Sequence, residues 1–149
     1  MKNILVLLLL VTSVTFAQKR DKEEWHKKID ALKTAHITEA LQLSSAEAEK
    51  FWPVYNVYDE KMHDLHKTKK KEIYSKLKDG VDSMNDSEAN TLIDKDLQLE
   101  QKELQYRKEL VAQLKKIISP GKIIKLKKAE DDFKKELLKR YRQRKDRRK

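Results

Sequence analysis

Cysteine is absent from all 149 residues, which excludes a disulfide framework, a thiolate-bound metal and a thiol nucleophile. Glycine and proline are almost absent, two of each, so there is no glycine-rich phosphate loop and little of the turn chemistry that sheets require. The only long apolar run, Ile4 to Val11, falls well short of the roughly 20 residues that a membrane-spanning helix needs. HExxH is missing as well, so zinc-protease chemistry lacks its signature, and no enzyme is expected.

What is present is charge, at 40% of residues, on a background rich in Lys, Glu and Leu; this composition predicts an all-α protein. Lys2, the Ile4–Val11 run and the small residues Thr15 and Ala17 read as a signal peptide over residues 1–17, cleaved after Ala17. Gln18 stands where a lipid-modified cysteine would be, so an exported soluble chain is expected, with one helical domain over 18–141 and a basic tail over 142–149. Net charge is +10, and eight basic residues against one acidic lie between Lys139 and Lys149.

Periodicity and punctuation predict four helices. The first, about Arg20 to Ala40, aligns Trp25, Ile29, Leu32 and His36. The second starts at Ser44, whose hydroxyl and Glu47 three residues on can form a capping box. Its stripe is Phe51, Tyr55, Tyr58, Met62, Leu65, Ile73 and Leu77, and it ends at Asp79-Gly80. Pro53 removes a backbone donor and predicts a kink or a restart after Trp52.

A third helix over Ser87 to Ile118 repeats Leu97, Leu104, Val111 and Ile118 every seven residues. A second stripe on it runs through Leu92, Leu99, Tyr106, Leu110 and Ile117. Ser119-Pro120 opens a fourth helix, whose predicted buried face is Ile123, Leu126, Phe133, Leu137 and Tyr141. At 1.5 Å per residue the second and third helices are long for a chain of this size and suit an extended hairpin.

The densest aromatic cluster, Phe51, Trp52, Tyr55 and Tyr58, is a candidate client or partner surface, although three of the four share the packed stripe. Asp59, His63 and His66 share one side of the second helix; two histidines without further ligands usually stay solvated, so no metal and no cofactor are assigned. The basic residues Arg140, Arg142, Arg144, Lys145, Arg147 and Arg148 read as a solvated end, an arm for acidic clients or anionic lipid headgroups, or a nucleic-acid patch, which export disfavours.

Leu43-Ser44-Ser45-Ala46-Glu47 resembles the LTxxQ motif of the Spy/CpxP-type periplasmic chaperone family, and Ile118-Ser119-Pro120-Gly121-Lys122 resembles a weaker copy, with Lys122 where the capping acceptor should be. The Phe51-Trp52-Pro53-Val54-Tyr55-Asn56 segment is similar to Bacteroidetes variants labelled sensors of extracytoplasmic sigma factors. The resemblance implies a periplasmic location and an antiparallel, cradle-like homodimer of bent helical hairpins. It also implies a function: holding unfolded envelope proteins without ATP or, alternatively, reporting envelope stress or metal to a membrane-bound signalling partner.

Overall fold

The structure, a computed structural model, describes residues 24, 25 and 27–146. The proposed signal peptide and the basic residues Arg147 and Arg148 lie outside the described residues. The described residues are helical with no strand, as the composition predicts. Helix α1 covers residues 27–41, α2 Ser45–Lys69, α3 Ser75–Gly80, α4 Asp86–Leu114 and α5 Pro120–Asp146. A π-helical turn, Lys70–Tyr74, joins α2 to α3 without a break, and a 3₁₀ turn, Val81–Ser83, leads toward α4.

The chain divides into two compact units, Leu43–Ile124 on one hand and Met1–Gln42 with Lys125–Lys149 on the other. In the first, α2 and α4 form an antiparallel hairpin. Its register is fixed by Lys61 pairing with Glu109, Lys69 with Asp96 and Glu100, and Glu72 with Lys95, so rising numbers on one helix meet falling numbers on the other. The core between them is Met62, Leu65, Ile73, Leu92 and Leu99, flanked by Tyr58, Met84 and Tyr106.

The π turn explains how Ile73 joins this core. Eight residues at about 100° each would leave Ile73 some 80° off Leu65. Widening five residues to i→i+5 bonding winds most of that angle back, and Ile73 is buried. Leu77, four residues beyond, is 45% exposed, so the predicted stripe ends one turn early. Pro53 lies inside α2, yet the helix runs unbroken through it and no restart follows Trp52.

On α4 the two apolar stripes are not packed alike. Leu92, Leu99, Leu110 and Leu114 are buried, whereas Leu97 and Leu104, half of the heptad run, are each 52% exposed. Both stripes have the same period, so hydropathy alone does not say which one faces α2. The helix starts at Asp86 under an Asn85 cap: Asn85 Oδ1 accepts from the Glu88 amide at 3.0 Å and Glu88 Oε2 accepts from the Asn85 amide at 3.1 Å.

In the second unit, α1 buries Ile37 and Leu41, not the predicted Trp25 and Leu32, which are exposed. His36 is half-buried with its ring 5.7 Å from that of Phe133. α1 ends on Gln42 at φ 49°, a left-handed C-terminal position more often occupied by glycine, with its amide donating to Glu39 O at 3.0 Å. α5 contributes Leu126, Ala129 and Phe133 to this interior, but Tyr141, placed on the buried face by periodicity, is 63% exposed. Helix α5 continues to Asp146, so the first residues of the proposed tail, Arg142, Arg144 and Lys145 among them, belong to its last turns. Among the described residues no helix is long and apolar enough to cross a membrane.

Candidate binding surface

The two segments that resemble the motif meet in space. Ser44 caps α2, its hydroxyl accepting from the Glu47 amide at 3.2 Å while Glu47 Oε2 accepts from the Ser44 amide at 2.8 Å. The same Glu47 oxygen accepts from Lys122 Nζ at 2.6 Å, and the Lys122 amide donates to Ser119 Oγ at 3.4 Å. Lys122 breaks the motif in the second copy because its ammonium serves the first: one carboxylate ties the starts of α2 and α5 together. The Lys122 ammonium and the Ser44 amide hold the Glu47 carboxyl below its ordinary range. Leu43 is half-buried beside this cap and Pro120 takes the first position of α5.

Two of the four candidate surface aromatics are interior. Phe51 and Tyr55 are stacked at 5.4 Å between ring centroids and are almost fully buried, so they pack the protein and present no free contact surface. Trp52 is nearly perpendicular to both, at 5.1 and 5.6 Å between ring centroids, and is half-buried, as is Tyr58. Aromatic pairs of this geometry add cohesion beyond their buried area.

Beside Tyr58 a shallow groove of about 200 Å³ opens between α2 and α4, lined by Pro53, Val54, Val57 and Leu110 among others. Val57, 55% exposed, forms part of its wall. At its rim Lys61 Nζ lies 3.2 Å from Glu109 Oε2 and 5.1 Å from the Tyr106 ring centre. Gln105, donating at 3.0 Å, and then Lys61 keep the Glu109 carboxyl ionised to lower pH than usual. The groove is smaller than the roughly 300 Å³ and upward of small-molecule sites and suits one or two apolar side chains of a polypeptide.

The larger apolar display is the outer face of α4. Ile93, Leu97 and Leu104 are 56%, 52% and 52% exposed, and the half-buried Val111 continues the row. Beside Leu104 and Val111 the row forms a shallow hollow bordered by Arg107, Lys108 and Lys115. Periodicity picks out Leu97, Leu104 and Val111 as an apolar row but not Ile93, and it does not say whether the row meets a neighbour or water. The cue that could have placed them outside is charge: Asp96, Glu100 and Glu109, the acids that answer Lys61 and Lys69 of α2, flank the other stripe.

His63 and His66 are exposed, and among the described residues no three His, Asp or Glu side chains converge to hold a metal. Of the basic residues singled out by composition, Arg140 pairs with Glu136 one turn back and Arg142 is exposed. Comparison with family models, characterised proteins and solved structures returns no match.

Proposed function

We propose that this protein is a non-enzymatic periplasmic binder that holds unfolded segments of envelope proteins without ATP. The observation that carries the reading is the outer row of α4, where three large aliphatic side chains stay more than half exposed while the opposite stripe of the same helix is packed. Exposed contiguous apolar surface on a water-facing helix is a standing aggregation liability and marks an interaction site. A chain without fixed structure offers apolar side chains along its length, and such a row, with the small groove beside Tyr58, accepts them without demanding one sequence. Arg107, Lys108 and Lys115 at the row's end add attraction for acidic stretches and keep the holder soluble. The resemblance of Leu43–Glu47 to the LTxxQ motif supports the same reading.

The test is suppression of aggregation of a chemically denatured model client by the wild type and by Leu97→Ser/Leu104→Ser. Both side chains are half in water already, so circular dichroism should be unchanged while suppression falls. Light scattering on the same samples separates a rival use of the row. A variant that loses mass but keeps suppression assigns the row to pairing with a second copy, the homodimer that the resemblance implies. A folded wild type that suppresses nothing defeats the proposal and favours the sensor reading.

A further inference from the structure

The last three turns of α5 carry a face that is turned away from the interior of their own unit. Lys134 to Asp146 holds seven basic residues against two acidic ones. Because the helix persists to Asp146, these residues have a fixed angular order and do not form a loose tail. At about 100° per residue, Lys127, Lys134, Leu138, Tyr141 and Arg142 fall within an arc of about 100° on the side away from Leu126, Ala129 and Phe133. Asp131 is the one acid in that arc. Leu138 is 50% exposed and Tyr141 63% exposed, and Lys127, Lys134 and Arg142 have no acidic partner among the described residues. By contrast, Lys128, Lys135 and Arg140, away from the centre of the arc, are engaged by Asp132 and Glu136.

An aliphatic side chain and a tyrosine set between unpaired long basic side chains are the components of a helix lying in a bilayer interface. The apolar pair enters the headgroup boundary, the tyrosine keeps its hydroxyl at the polar level, and the lysine and arginine stems extend to the phosphates. An acidic polypeptide would be served by the charges alone and gives no reason for Leu138 and Tyr141 to stand in water. We propose that this face of α5 docks on the surface of an anionic phospholipid membrane. It does not depend on what α4 binds.

Co-sedimentation of the full chain with vesicles of phosphatidylcholine alone or mixed with phosphatidylglycerol tests this. The apolar run Ile4–Val11 contributes to both compositions, so the readout is the difference between them. The wild type should favour the anionic vesicles, and Lys134→Gln/Arg142→Gln should lower partitioning by about thirtyfold. Leu138→Ala/Tyr141→Ala, which keeps charge and helix propensity, should lower it by about tenfold. Absence of any preference for anionic vesicles overturns the proposal. So does binding that falls with the charge variant but is untouched by the apolar one, because that describes a general electrostatic arm and not an interfacial helix.

Discussion

Lys69 is set deep in the hairpin for a charged residue, its side chain 14% exposed, with Nζ 3.0 Å from Asp96 Oδ1 and 3.4 Å from Glu100 Oε1. Asp96 Oδ1 is shut off from water, and Lys69 is the cation within reach of it. Lys69→Met keeps the packed stem and removes the ammonium, leaving that oxygen without its partner. Stranding a buried polar atom costs about 1–3 kcal/mol, and since the rest of the Asp96 side chain reaches water the lower half applies, about 1–2 kcal/mol. Lys69→Met/Asp96→Leu removes both charges and should return stability to within about 0.5 kcal/mol of wild type. Urea unfolding followed by circular dichroism gives the cycle. Asp96, and then Glu100, raise the Lys69 pKa above its ordinary 10.5. The stabilisation is therefore complete below that value and lost as pH climbs through the raised one, so Lys69→Met should also flatten the alkaline limb. A single variant as stable as wild type, or a double variant no better than the single, would refute the reasoning and class the pair with solvated surface bridges.

Three further outcomes follow from local geometry. Gln42→Gly should raise stability by about 0.5–1 kcal/mol in thermal unfolding, since relief of the left-handed strain at φ 49° exceeds the entropy cost of glycine. Pro53→Ala should stabilise by about 1–2 kcal/mol in urea unfolding, because it restores an amide donor inside the unbroken α2 at an exposed position. Glu47 has a lowered pKa, so its contribution is present above its ordinary 4.5 and lost as pH falls through the lower folded value. Glu47→Gln should accordingly remove part of the acid-limb slope in a pH series of unfolding midpoints.

Helix starts were the most legible features in this sequence. Ser44 with Glu47, and Ser119 before Pro120, announce themselves because a cap is a local contract between residues three apart. Asn85 with Glu88 has the same form and lies two residues before the predicted start at Ser87. What could not be read locally was anything depending on a partner helix. The π turn at Lys70–Tyr74 exists to bring Ile73 back over Leu92 and Leu99, a demand set by α4. Lys122 looks like a defect in its own motif copy until Glu47, 75 residues away in sequence, is seen to receive it. The burial of Ile37 and Leu41 in place of Trp25 and Leu32 is a rotation of α1 of the same kind.

The two stripes of α4 differ sharply in burial and therefore in what each contributes to stability. Leu99 is 4% exposed between Met62 and Ile73, whereas Leu97, two residues earlier on the same helix, is 52% exposed. Leu99→Ala opens a cavity in a thin two-helix interface with few neighbours able to collapse into it, at a cost of about 2–4 kcal/mol. Leu97→Ala deletes atoms that already touch water, and alanine's helix propensity offsets what little is lost, so the change stays within about 0.5 kcal/mol. If the outer row is the binding surface, the ordering inverts for client capture. Leu97→Ala weakens it in a protein of undiminished stability, and Leu99→Ala weakens it only at denaturant concentrations where the hairpin itself opens. Unfolding midpoints and capture measured on the same two variants would show the inversion. Equal stability losses at both positions would mean that the row is covered in solution, and that α4 is packed on both faces.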